Sequence, residues 1–237
     1  RISVESVQAG DIVAIAGLQK ATVADTLADL SINKPILAPP IDPPTLSIRF
    51  AINNSPLAGR DGDKVQSRVI RDRLLAEAEG NVAIQVKETN DKDAFEVSGR
   101  GELQLGVLVE TMRREGFEMT IGRPKVLYRQ DPETGQRQEP VEDVTVDVDN
   151  EFTGVVVEKI SERRGEMTEM RPFGTGRTRI TFLAPTRGLI GYHGEFLTDT
   201  RGTGVIHRLY RGYADYMGPI LGRHRGAIVS AQTGTSV

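Results

Sequence analysis

Leu46-Ser47-Ile48-Arg49-Phe50-Ala51-Ile52 decides how this 237-residue chain is read. Leu46, Ile48, Phe50 and Ile52 alternate with Ser47, Arg49 and Ala51, the period-two pattern of a strand with one buried face. A loop follows from Asn54 to Gly62. Asp63, with Gln66 three residues on, makes a capping pair, and Val65/Val69 and Ile70/Leu74/Ala78 then repeat at helical spacing until Gly80. Val82, Ile84 and Val86 form a second strand, residues 90–93 a turn, and Phe95 and Val97 a third strand. Gly99-Arg100-Gly101 leads into a second helix in which Leu105, Leu108, Val109 and Met112 keep the i, i+3, i+4, i+7 pattern. Arg113 and Arg114 suit its C-terminal dipole, and Gly116 ends it. Phe117, Met119 and Ile121 complete the order β-α-β-β-α-β.

The order then repeats. Residues 131–135 make a linker or hairpin loop, and Val144, Val146 and Val148 alternate with Thr145, Asp147 and Asp149. Phe152, Val156 and Ile160 step by four along a helix that Gly165 ends. Glu166 to Met170 is a weaker strand, Gly174-Thr175-Gly176 a turn, and Thr178, Ile180 and Phe182 another strand. Leu189, Tyr192, His193 and Phe196 give one apolar helix face, and Val205 to Tyr210 closes the unit. Two such units predict an α+β chain of two consecutive ferredoxin-like domains, each a sheet with helices on one face. Upstream, Ile2 to Gly17 reads as strand, turn, strand. Five prolines between Pro35 and Pro44 form an extended connector and mark a boundary.

Composition is that of an ordinary folded protein: 38% hydrophobic, 27% charged, no Cys. No window reaches the roughly 18 apolar residues of a membrane helix, and a cytoplasmic location is expected. The chain begins at Arg1 rather than Met, and a fragment of a longer protein is expected. The net charge of −3 conceals an asymmetry. Residues 1–160 carry 19 Lys and Arg against 27 acids, whereas residues 161–225 carry 11 Arg, no Lys and 6 acids. A basic, all-Arg rear suits either phosphate, which a planar guanidinium pairs bidentately, or pairing within the chain with the acidic strands.

Catalytic signatures are missing. There is no G-x-x-x-x-G-K-[ST] loop and no G-x-S-x-G elbow. Gly99-Arg100-Gly101 is followed by Gln104 where a dinucleotide site needs Gly, and Glu102 would repel a phosphate. His193, His207 and His224 share no ligand spacing, so no metal is expected; His193 is placed at a helix–sheet or domain contact. Asp147-Val148-Asp149 lacks the Gly of a calcium loop. The expectation is a chain without catalytic residues and without a cofactor of its own.

What remains is binding. The candidate RNA-contacting set is Arg163, Arg164, Arg171, Arg177, Arg179, Arg187, Arg201, Arg208 and Arg211. For Arg177 and Arg179 a second reading stands beside it: cross-strand ion pairs with Asp147 and Asp149, whose strand is the neighbour in a split-βαβ sheet. For Arg163 and Arg164 the second reading is a helix-dipole role. With 5% aromatic residues and no stacked aromatic run, any RNA contact would be to phosphate and shape.

These residues carry a resemblance. Val97-Ser98-Gly99-Arg100-Gly101-Glu102-Leu103-Gln104-Leu105, with Met112-Arg113-Arg114-Glu115-Gly116 and Gly122-Arg123-Pro124-Lys125-Val126, resembles the third domain of translational GTPases of the elongation factor G class. Gln104 stands where that family usually has His. Ala9-Gly10-Asp11-Ile12-Val13 with Asp25-Thr26-Leu27 resembles the end of the family's β-barrel domain. Thr186 to Leu197, then Gly202-Thr203-Gly204, is similar to the TypA/BipA subfamily, and Gly226 to Ser230 resembles the start of its C-terminal domain.

The resemblance implies the end of β-barrel domain II and linker at 1–40, ferredoxin-like domain III at 41–128, ferredoxin-like domain V at 129–222 and the start of the C-terminal domain at 223–237. It implies GTP and Mg2+ in a G domain lying upstream, contacted in cis by Asn54, Arg60, Ser98, Arg100 and Gln104. It implies the ribosome as partner, rRNA and ribosomal proteins near the GTPase-associated region, and a role in ribosome assembly or translation under stress, with no membrane. The other reading is a free-standing tandem of ferredoxin-like domains that binds a small effector without RNA. Salt separates the two, because phosphate contacts weaken steeply with ionic strength.

Overall fold

The computed structural model describes residues 2–8, 10–18, 25–37 and 42–220. His224, Gly226 to Ser230 and the whole expected domain 223–237 lie outside them, as do Pro39 and Pro40 of the connector and Ala9 of the first turn. Two units result, Arg1–Ile41 and Asp42–Val237. In the first, the turn at Gly10 is present: the Asp11 amide donates to Gln8 O (3.1 Å), and Gly10 has φ +101°. The strands expected on either side are not. No strand occurs among the described residues of this unit, and Ile2 and Ile12 are 91% and 101% exposed. Alternation supplies an apolar face, but a strand also needs a neighbour's hydrogen bonds and a layer to cover that face.

In the second unit the elements run β1 (Leu46–Ile52), α1 (Ser67–Gly80), β2 (Gln85–Glu88), β3 (Ala94–Gly99), α2 (Glu102–Arg114), β4 (Met119–Ile121), β5 (Lys125–Val126) and β6 (Arg129–Gln130). They continue with β7 (Arg137–Asp149), a 3-10 turn (Asn150–Phe152), α3 (Thr153–Glu162), β8 (Glu166–Pro172), β9 (Arg177–Pro185), α4 (Thr186–Leu189), α5 (Tyr192–Asp199) and β10 (Val205–Asp215). The first sheet has the order β2-β3-β1-β4, with β5 also on β1; the second has β10-β7-β9-β8, with β6 on β7. All pairs are antiparallel. Both are the fourth-first-third-second arrangement of a ferredoxin-like module, so the expected fold class holds twice.

The pattern of burial follows the sequence pattern. Leu46, Ile48 and Phe50 pack with Phe95, Val97, Ile70, Leu74, Leu105, Leu108 and Met112 into one core. Val144, Val146, Val148, Ile180 and Phe182 pack with Val156, Ile160, Leu189, Tyr192 and Phe196 into another. Ile190 lies against the first core although it belongs to the second module. The modules are bolted further at Glu102, which accepts the Gly191 amide (3.1 Å) and faces Arg208 (3.7 Å), and at Tyr213, whose hydroxyl donates to Leu127 O (3.0 Å).

Three local expectations change. Helix α1 starts four residues later than the Asp63 cap, at Ser67 after Gln66. Lys64 is instead bridged to the chain beside β4: its amide donates to Gly116 O (3.1 Å) and its carbonyl accepts from Glu118 (3.3 Å). Those backbone groups, being spent on a strand-like bridge, are unavailable to a helix. The helix expected around Tyr192 is two pieces, broken where Gly191 has φ +73°. That break turns His193 outward to an exposed position, so it is neither on the apolar face nor at a domain contact.

Helices α3 and α5 end alike. In each the left-handed position is an arginine, Arg164 (φ 68°) or Arg201 (φ 51°), followed by a glycine whose amide reaches back to the carbonyl of Ile160 or Leu197 (2.8 Å each). This is a Schellman closure with arginine where glycine is usual.

Candidate nucleic-acid interface

The open face of the second sheet is tiled by opposite charges. In the β7–β9 register Asp147 stands opposite Arg179 and Asp149 opposite Arg177. Arg179 donates Nε and Nη2 to the two carboxylate oxygens of Asp147 (2.6 and 2.7 Å) and lies 3.8 Å over the Phe173 ring. This bidentate donation holds the Asp147 carboxyl below the usual carboxylate range against the opposing effect of its burial. Arg177 sits 3.3 Å from Asp149 and donates to the carbonyls of Asp147 and Thr203. The cross-strand reading of these two arginines is therefore the one the geometry realises.

The remaining candidates are also largely engaged. Arg163 pairs with Glu195 (which Lys159 meets at 2.9 Å) and lies 5.1 Å over Tyr192. Arg187 makes a two-pronged bond to Glu139, a carboxylate with no solvent exposure. Arg208 does the same to Glu142 (2.8 and 2.9 Å). Arg211 meets Asp143 at 3.1 Å and Arg171 meets Glu169 at 3.7 Å, all four side chains well exposed. Arg164 donates Nε to Pro219 O (3.0 Å), and Arg201 lies 5.7 Å over Phe152; neither has a carboxylate partner among the described residues.

Glu139, Glu142, Asp143, Asp147 and Asp149 all lie on β7. The basic surplus counted over residues 161–225 is thus largely neutralised by acids that the chain carries before residue 160 and the sheet brings alongside. The first module, nearly balanced by sequence, holds cations free of ion pairs among the described residues: Arg60, Lys87, Lys92, Arg100, Arg123 and Lys125. Lys87 and Lys125 stand on the open face of its sheet, opposite Glu96 and Ser47. Arg123 and Lys125 line a shallow trough there with Ser47, Arg49, Asp91 and Glu96.

The residues expected to face a G domain fall into two groups. Asn54 and Arg60 sit on a loop gathered around Glu118, whose carboxylate accepts from the amides of Gly59, Asp61 and Gly62 (3.0 to 3.2 Å) and from Asn53 Nδ2 (2.5 Å). The backbone donors, that of Asp61 first, hold its pKa below the ordinary glutamate value. Arg60 and Asn54 are both exposed. Ser98, Arg100 and Gln104 form the turn into α2. Gln104 Oε1 accepts the Arg100 amide (2.9 Å), a single bond back to the residue before the helix cap Gly101 that gives this side chain a structural task. Ser98 is 3% exposed and presents nothing to a partner, whereas Arg100 is exposed.

Glu118, Glu139 and Glu142 are the residues that motif reading passed over. Their signal was an acid inside an apolar strand or next to one, where charge is not left unpaired. Among the described residues no group of three or more His, Asp and Glu is arranged to hold a metal, and no helix is long and apolar enough to cross a membrane.

Residues 136–224 match the elongation factor G C-terminus family. The whole chain is similar to proteins named large ribosomal subunit assembly factor BipA. Identity is 45% over 238 residues with that of Escherichia coli K12, which covers all of this chain and 39% of the relative. With the Bacillus subtilis protein it is 42%, covering 99% of this chain and 38% of the relative. The Haemophilus influenzae protein is 44% identical, over 97% of this chain and 37% of the relative. This chain thus spans under two fifths of the length of the relatives it matches. Its two ferredoxin-like modules and these matches together identify it as a relative of the BipA proteins, with a second module of the elongation factor G C-terminal type.

Proposed function

We propose that this chain is the noncatalytic, ribosome-facing portion of a BipA-type translational GTPase acting in assembly of the large ribosomal subunit in the cytoplasm. The observation that carries the reading is identity of 42–45% along the whole chain to proteins named for that assembly task. In this reading residues 1–40 end a β-barrel domain, 41–128 and 129–222 are domains III and V, and 223–237 begin a further domain. GTP and Mg2+ belong to a G domain outside residues 1–237, which meets this chain through Arg60, Arg100 and Asn54. Gln104 supports that turn from within, and buried Ser98 takes no part.

The rRNA contact is electrostatic and falls on arginines that the fold leaves exposed or without a carboxylate: Arg164, Arg171, Arg201 and Arg211, joined by Arg123 and Lys125 of the first module. Arg163, Arg177, Arg179, Arg187 and Arg208 instead build the module that presents them. Three or four phosphate contacts give a log–log salt slope of about −3. Pelleting with large ribosomal subunits across a salt series tests this. Arg171→Glu with Arg211→Glu should lower binding and flatten the slope while unfolding stays cooperative. Salt-independent pelleting, or full binding by that double variant and by Arg123→Glu with Lys125→Glu, refutes the proposed contact.

A further inference from the structure

The chain leaves the second module along a course that, after one last backbone bond to β7, side chains dictate. β10 ends at Asp215. The next four residues are then held one by one. The Tyr216 amide donates to Arg137 O (3.0 Å), and the Met217 amide donates to the buried Glu139 carboxylate (2.8 Å). Gly218 O accepts from Arg187, and Pro219 O accepts from Arg164 Nε. Arg187 is the same guanidinium that forks onto Glu139 and lies 4.7 Å over the Tyr216 ring.

The approach to the module meets the same cluster. Tyr128, in the connection between the modules, lies with its ring 3.6 Å from the Arg137 guanidinium, and Tyr216 takes up that guanidinium at 5.0 Å. The two tyrosine rings stand edge to face, 6.2 Å apart. One planar cation is therefore shared by the residue that leads in and the residue that leads out.

We propose that residues 216–219 are a strap, and that the Arg137–Tyr128–Tyr216 stack with the Glu139–Arg187 pair beneath it fixes the direction in which the chain leaves the second module relative to the first. Beyond Tyr216 the Met-Gly-Pro segment has no partner strand and would otherwise sample many courses. Charge-assisted bonds to successive backbone groups, from the buried Glu139, from Arg187 stacked on Tyr216 and from the exposed Arg164, remove that freedom. The second module then acts as a fixed corner at which the exit of the chain is set. This holds whatever surface the modules bind.

The chain has no Cys, so spin labels at Glu79→Cys and Pro219→Cys report cleanly on the corner. The intact chain should give one narrow distance. Arg137→Ala with Glu139→Gln should broaden it, and exchange of the Met217 amide should rise about tenfold or more, the loss of one charge-assisted bond. Arg137→Lys keeps the charge without the planar stack and should broaden the distance while melting cooperatively, which covers the case in which the double variant does not fold. A broad distance in the unaltered chain, or an unchanged one in Arg137→Lys and in the double variant, overturns the proposal.

Discussion

Asp147 and Arg179 offer the sharpest test of where the second module's positive charge goes. Each nitrogen of the fork donates to its own carboxylate oxygen, and the carboxylate is 8% exposed against 27% for the guanidinium. Breaking a fully buried pair costs about 3–5 kcal/mol and an exposed one about 0–1 kcal/mol. With the acid nearly buried and the base a quarter exposed, Arg179→Met should cost about 2 kcal/mol. Asp147→Asn keeps an acceptor for the arginine and should cost about 1 kcal/mol. The double-mutant coupling should then be about 1–1.5 kcal/mol.

Acid should erase it. Arg179 holds the Asp147 carboxyl below its unfolded value. The pair's contribution is therefore complete above a pH of about 4 and disappears as pH falls through the lower, folded value. Urea unfolding at about pH 7 and about pH 3, each in low and high salt, measures all of these quantities. A second readout bears on function: Asp147→Asn releases a cation and should tighten binding to a polyanion, whereas Arg179→Met should leave that binding unchanged. Additive single variants, with coupling within about 0.3 kcal/mol, would mean that Arg179 is screened by water and open to phosphate. The assignment of the arginine ladder to internal pairing would then be wrong.

Other perturbations follow from single contacts. Arg163→Glu places a carboxylate against Glu195 and the Gly188 carbonyl, so it should destabilise the fold by about 2–3 kcal/mol; chemical denaturation checks this, and wild-type stability would contradict it. Gly165→Ala would set a Cβ 2.3 Å from Ile160 Cγ2 behind α3, an overpacking penalty of about 1–3 kcal/mol read by thermal melting. Glu118→Gln should raise hydrogen exchange at Gly59, Asp61 and Gly62 without unfolding either core. In the unaltered chain the same amides should loosen as pH falls below the unfolded glutamate value of about 4.5, because the folded carboxyl titrates lower. Exchange at those three amides that ignores both changes would show that Glu118 does not organise the loop.

Both sheets were legible because the period-two runs at Leu46–Ile52 and Val144–Val148 and the helical runs at Leu105–Met112 and Phe152–Ile160 each specify a buried face, and the split-βαβ order leaves few ways to combine them. The pairing of Arg177 and Arg179 with Asp149 and Asp147 was legible for the same reason, since two i, i+2 charge pairs on neighbouring antiparallel strands must meet. The start of α1 was not, because Lys64 is taken by a backbone bridge to a segment more than fifty residues away. The outward turn of His193 was not, because it depends on the left-handed Gly191 between two short helices.

The charge count left phosphate contact and pairing within the chain both open, and the sheet supports pairing for most of these arginines for a more general reason. Net charge over a window measures proximity along the chain, whereas a salt bridge needs proximity in space. Arg187 finds Glu139 and Arg208 finds Glu142 at separations of 48 and 66 residues. A cut at residue 160 therefore divides these arginines from their acids and makes a balanced sheet look basic. A ferredoxin-like module does this systematically, since its first strand lies between its third and fourth. The sign that survives folding is carried by side chains whose neighbours in the sheet are neutral, and here Lys125 opposite Ser47 is a better guide to a polyanion than the arginine count of the second module.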